Sequence, residues 1–151
     1  MGLFGKLDAA NVSANPFYIK QGEYSATVTD ARYKENRDGE RQLFIEYTID
    51  DPESQYLDFK ATQFFTLPDD DLDEAKFALL PAEEKKKVQR NISNMKKALC
   101  GNGNNKGLGQ EPDDLNDASW DPAVLRGLKV DMAISNFGTD GVNVRWANLQ
   151  D

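Results

Sequence analysis

The chain has 151 residues, with 18 Lys plus Arg against 26 Asp plus Glu, a net charge of −8 and no His. At 39% hydrophobic, 29% charged and 10% aromatic residues it is long and apolar enough for one domain with its own core, and too apolar to be disordered throughout. Lack of His excludes Ser–His and Cys–His nucleophiles and His-ligated metals, and the single Cys100 excludes an internal disulfide, a zinc finger and an iron–sulfur cluster.

No apolar run approaches the roughly 18 residues of a membrane span. The start, Met1-Gly2-Leu3-Phe4-Gly5-Lys6, has neither the apolar core of a secretion signal nor the hydroxyl residue of a myristoylation signal. The expectation is a cytoplasmic, reduced protein with no membrane partner.

Residues 1–21, with Asn11-Val12-Ser13-Ala14-Asn15-Pro16, read as a weakly ordered N-terminal arm, and 22–151 as a single domain. From Gly22 the period becomes two: Tyr24, Ala26 and Val28 share one face, Ser25, Thr27 and Thr29 the other. Asn36-Arg37-Asp38-Gly39 predicts a turn, and Arg41 to Asp50 the clearest strand, with Leu43, Ile45, Tyr47 and Ile49 facing inward. After Asp51-Pro52-Glu53-Ser54 a third strand is expected from about Tyr56 to Thr66.

Leu67-Pro68 ends the strands, and helical spacing follows. A short helix is predicted over about 71–79, then a longer one from Ala82 on which Val88, Ile92, Met95 and Leu99 fall within about 60° of each other at 100° per residue. Gly101 is its expected stop, and residues 101–121, rich in Asn, Gly and Asp, are expected to form a mobile loop. Asp121-Pro122 predicts an N-cap and first residue of a helical turn ended by Gly127. Two strands close the chain: Leu128, Val130, Met132 and Ile134 inward, then Val142, Val144 and Trp146 alternating with Asn143, Arg145 and Ala147. Mainly β with an inserted helix, in the order β-β-β-α-β-β, is the order of the OB-fold, a five-stranded Greek-key barrel. The alternative is an open α+β antiparallel sheet with a helix on one face, because periodicity does not separate closure from openness.

Enzyme chemistry finds no support. Asp69-Asp70-Asp71-Leu72-Asp73-Glu74 lacks the Gly and terminal Glu of a calcium loop and suits a helix N-terminus instead. The Gly101–Gly109 stretch has Lys-Gly where a phosphate loop needs Gly-Lys followed by Ser or Thr. Cys100 ends an apolar stripe and is expected to be buried. No catalytic residue, metal or cofactor is expected.

Two features point to nucleic acid instead. Lys85 to Lys106 holds seven basic residues and no acidic one, and Lys86, Arg90 and Lys97 project opposite the apolar stripe. If Leu43, Ile45 and Tyr47 face the core, Phe44 faces out, with Arg41 and Lys60 nearby and Tyr56, Phe64 and Tyr33 as further exposed aromatics. Single-strand binders pair such stacking platforms with cations that follow the phosphates. Each feature also has an ordinary reading, a solvated helix face and an aromatic packed under a neighbouring segment. Arg32, Lys34, Arg37 and Arg41 of the first hairpin are balanced by Asp30, Glu35, Asp38 and Glu40.

The linear pattern also resembles a known family. Gly22-Glu23-Tyr24, a turn with Asp38-Gly39, Leu43-Phe44-Ile45-Glu46-Tyr47-Thr48-Ile49, a Phe-rich third strand, a helix with Met95, Leu99 and Cys100, Gly127-Leu128-Lys129-Val130 and Gly141-Val142-Asn143-Val144-Arg145 are similar to those of small bacteriophage early-region proteins, over about residues 20–148. The resemblance implies an OB-fold protein that binds single-stranded DNA or assists recombination, with phage or host replication and recombination proteins, or a second copy of itself, as partners. Acidic single-strand binders of this kind often end in an acidic tail; this sequence ends Ala147-Asn148-Leu149-Gln150-Asp151, and its acids cluster at 69–74 and 111–121.

The leading expectation is a non-enzymatic single-stranded-DNA-binding protein, with Phe44, Tyr56 and Phe64 stacking bases and Arg41, Lys60, Lys86, Arg90 and Lys97 meeting phosphates. The alternative is a structural or protein-interaction module, a virion or host-takeover component, without nucleic-acid affinity. Under the first, Lys86→Glu with Arg90→Glu weakens oligonucleotide binding and flattens its salt dependence, as read by fluorescence anisotropy.

Overall fold

Period-two runs of β-branched and aromatic residues build β1 (Gly22–Glu35), β2 (Arg41–Ile49), β3 (Lys60–Thr66), β4 (Lys129–Phe137) and β5 (Gly141–Leu149). The computed structural model describes residues 18–68, 72–103, 105–115, 117, 119–137 and 141–150. Most of the expected arm 1–21, and Asp69, Asp70 and Asp71 of the acidic run, lie outside the described residues. All five strands form one antiparallel sheet in the order β3-β2-β1-β4-β5. Between β3 and β4 lie α1 (Glu74–Ala78), α2 (Ala82–Cys100), α3 (Pro112–Leu115) and a 3₁₀ turn at Pro122–Leu125.

The protein is therefore mainly β with a few helices. Among the described residues no backbone ladder joins β3 to β5, so the sheet is open between these two edges. Between them, among the described residues, Gln63 Nε2 donates to the Val144 carbonyl at 3.3 Å. The third strand is shorter than expected. Residues 56–59 turn instead, with Phe59 N–H donating to the Tyr56 carbonyl and Asp58 at φ 70°.

β1 is the shared strand. Its first half pairs with β4 (Gly22↔Ile134 to Thr27↔Lys129) and its second with β2 (Ala26↔Ile49 to Glu35↔Arg41). The β2 ladder slips between Val28 and Asp30, leaving Thr29 as one extra residue. Side chains alternate strictly along a strand, so one extra residue moves everything beyond it to the other face. Ala26 and Val28 are buried before the bulge and Ala31 after it. Arg32 and Lys34, which unbroken alternation would put on the buried face, are exposed.

Leu43, Ile45, Tyr47 and Ile49 fill the centre of the core with Val130, Met132, Ile134 and Val144. Leu125 closes it from the 3₁₀ turn, where Asp121 Oδ1 accepts from the Ala123 N–H at 2.9 Å as the N-cap expected from the sequence. The α2 stripe contributes less than its periodicity suggests: only Leu99 is buried, while Val88, Ile92 and Met95 are half-buried because the helix meets the sheet at its C-terminal end. Gly101 ends α2 at φ 81°, where a Cβ would overlap the Asn105 carbonyl.

The expected mobile loop 101–121 is held at several points. Leu108 is buried, the Gly107 N–H donates to Asn148 Oδ1 at 2.9 Å, the Leu149 N–H donates to the Gly107 carbonyl at 2.8 Å, and the Gln110 N–H donates to the Leu99 carbonyl at 2.8 Å. Ile19, within the segment read as an arm, is also buried, and the Asn136 side chain holds its carbonyl and the Gln21 N–H.

Two polar groups join the strands. Tyr47, fully buried, donates from Oη to Gln63 Oε1 at 2.6 Å, and burial pushes its phenol far up. Asp50, following β2, accepts from Ser25 Oγ at 2.7 Å, Thr27 Oγ1 at 2.6 Å and Lys129 Nζ at 3.3 Å. Partial burial raises the Asp50 carboxyl, but these hydrogen bonds and the Lys129 charge outweigh it and hold the pKa below its ordinary value.

Tyr47→Phe leaves Gln63 Oε1 without its donor and is expected to cost about 1 kcal/mol in urea unfolding. A lowered folded-state pKa stabilises above the unfolded pKa, and the gain is lost as pH falls through the folded value. Asp50→Asn is therefore expected to lower the urea midpoint at pH 7, with the difference from the parent shrinking below about pH 4.

Candidate nucleic-acid interface

The β1 bulge and the β2–β3 register create one chemically distinctive surface. Arg32 lies opposite Phe44 in β2, and Phe44 opposite Phe64 in β3. These three side chains, with Lys34 two residues beyond Arg32, occupy the outer face, away from Leu43 and Ile45. The Phe44 and Phe64 rings pack with centroids 5.2 Å apart and planes tilted by 48°. Lys34 Nζ stands 5.3 Å from the Phe44 centroid and 5.8 Å from that of Phe64, and the Arg32 guanidinium 5.4 Å from Phe44.

The two rings are not equivalent. Phe44 is only 7% exposed, covered by Phe64 and the cations of β1, so it is a support rather than the free platform expected from its outward direction. Phe64 is 47% exposed and offers its ring to solvent. Its neighbour Phe65 faces the other way, opposite Leu43. The cations also differ. Arg32 pairs with Asp30 at 3.5 Å, which Arg126 also holds at 3.1 Å, whereas Lys34 has no carboxylate partner among the described residues.

The remaining expected site residues are dispersed. Tyr56 is half-buried between Tyr24 and Phe59, edge-on to both at 5.7 and 5.5 Å, and so belongs to a packing cluster. Arg41 shares the face of Leu43, opposite to that of Phe44, and its guanidinium lies 4.3 Å from the Tyr33 centroid. Lys60 is on the outer face but pairs with Glu46 at 3.5 Å. Lys86 and Arg90 are exposed on α2, apart from the Phe64 surface. Lys97 alone of the helix cations comes near Phe64: both line a groove of about 490 Å³ between β3, the end of α2 and β5.

Sequence reasoning missed four residues here. Arg32 and Lys34 sit in a hairpin that is neutral overall, and only the bulge gathers them over the Phe rings. Arg145 and Trp146, which also line the groove, were read as plain strand alternation. Among the described residues no three Cys, Asp or Glu side chains come together in a way that would hold a metal ion. Burial first, and then Glu111, push the Cys100 thiol up against the opposing effect of Lys96, which disfavours the reactive thiolate. No helix among the described residues is long and apolar enough to cross a membrane. The chain matches no protein-family model and no curated protein.

Proposed function

We propose that the protein is a non-enzymatic single-stranded-DNA-binding protein that stacks bases on the outer face of β1, β2 and β3, acting in replication or recombination as the phage early-region resemblance implies. The observation that carries this reading is the exposed Phe64 ring, braced from below by Phe44 and flanked by Lys34, which has no carboxylate partner among the described residues. Every base has a π-face, so such a ring accepts bases of any identity, while the ammonium beside it meets the phosphate. In a duplex those faces are already stacked, so the surface favours single strands.

The finer architecture belongs to the same proposal. An OB-type barrel is supported by the order β3-β2-β1-β4-β5, by a β1 that pairs on both sides, and by the Gln63–Val144 hydrogen bond between the two edge strands. OB-folds bind oligonucleotides on the face of their second and third strands, which is where Phe44 and Phe64 pair here. The net charge of −8 does not oppose binding, because exposed charges beyond about 10 Å are largely screened at 0.1 M salt and the local cations dominate. Lys86 and Arg90, exposed on α2 apart from the Phe64 surface, are screened in the same way and contribute little at this salt.

A labelled thymine oligonucleotide titrated by fluorescence anisotropy is expected to bind at micromolar concentration or tighter, more tightly than duplex of equal length and more weakly as salt rises. Phe64→Ala is expected to weaken this binding about tenfold, since one stacked base contributes roughly 1–3 kcal/mol. A parent protein that binds no oligonucleotide even at low salt would overturn the proposal and favour the interaction-module alternative.

A further inference from the structure

β5 carries a second bulge. Its ladder with β4 passes from Ala133↔Trp146 to Ile134↔Val144, leaving Arg145 as an extra residue without a partner. Val144 and Ala147 are both buried although three apart, so the face changes between them. Arg145 is exposed and Trp146 half-buried, and both line the groove that Lys97 and Phe64 also line.

The charge of this groove is opposite to that of the chain. No Asp or Glu is among its described lining residues, although the sequence contains 26 of them. Neither Lys97 nor Arg145 makes an ion pair among the described residues, so two uncompensated cations border one concavity. Asn94 and Asn143 line it with exposed carboxamides, groups that both donate and accept, as the edge of a base requires. Cations for phosphate, an indole for stacking and amides for a base edge are the three contacts that an unpaired nucleotide offers. The volume of about 490 Å³ lies within the range of small-ligand sites.

We infer that the groove holds one nucleotide of a bound single strand, its phosphate between Lys97 and Arg145 and its base against Trp146. This rests on the proposed single-strand binding and extends it, since Phe64 borders both surfaces and the strand passes from one to the other.

The sequence has two Trp, so Trp120→Phe leaves Trp146 as the sole indole reporter. Its emission is expected to be quenched as a thymine oligonucleotide saturates the protein, with saturation followed independently by anisotropy. Lys97→Glu with Arg145→Glu, in the full chain, is expected to bind at least about tenfold more weakly. Its plot of log affinity against log salt should be shallower by about 0.7, the value for one single-strand phosphate contact. Unchanged emission at saturation, or unchanged affinity and slope in the charge-reversed protein, overturns the groove while leaving the outer-face reading standing. A parent protein that binds no oligonucleotide overturns both. The emission experiment leaves the groove unaltered, so it decides the matter even if the charge-reversed chain fails to fold.

Discussion

One extra residue in β1 governs the arrangement of the rest. β1 is the only strand that pairs with both β2 and β4, so both ends of the sheet depend on its register. The slip at Thr29 lets the strand bury Val28 and then Ala31 while turning Arg32 and Lys34 outward. Without it, Asp30 would take the buried place of Ala31 opposite Ile45, an unpaired charge in the apolar interior at a cost of several kcal/mol. The bulge is locally satisfied: Thr29 Oγ1 lies 2.9 Å from Glu46 Oε1 and 2.9 Å from Thr48 Oγ1. One device thus closes the core and assembles the aromatic-cation surface outside it.

The two edge strands are the second constraint. Edge strands carry unpaired backbone groups that invite association with other chains. Here β5 is covered by the Gly107–Leu108 segment, whose backbone bonds to Asn148 and Leu149, and β3 is tied to β5 through Gln63. Gln63 is anchored in turn by the buried Tyr47 hydroxyl, so the core sets the position of the seam. The groove opens along this seam, which gives it a rigid floor with polar walls drawn from three distant parts of the chain.

Charge illustrates why whole-chain properties are poor guides to a site. The net charge is −8, and the hairpin that carries Arg32 and Lys34 is neutral. One of its acids, Asp30, is held between Arg32 and Arg126. Over the rings stands Lys34, which has no carboxylate partner among the described residues. A ligand meets this local field rather than the total.

Features that depend on near neighbours along the chain are legible in the residues alone. Alternation buried Leu43, Ile45, Tyr47 and Ile49 as read; Asp121-Pro122 opened its helical turn; Gly101 ended α2, because only glycine takes that backbone angle without strain. Tertiary structure decided everything that depends on a partner distant in sequence. Phe44 points outward as its position requires, yet Phe64 and β1 cover it; Tyr56 is taken up by Tyr24 and Phe59; Leu108, in a stretch without periodicity, fills a core site. Arg145 and Trp146 reach the groove only because β5 slips one residue against β4. A bulge leaves little mark on local composition, since it is set by how two strands must twist to close over one core. For that reason the strands and caps were legible in the residues, and the surface that joins Phe64 to the groove was not.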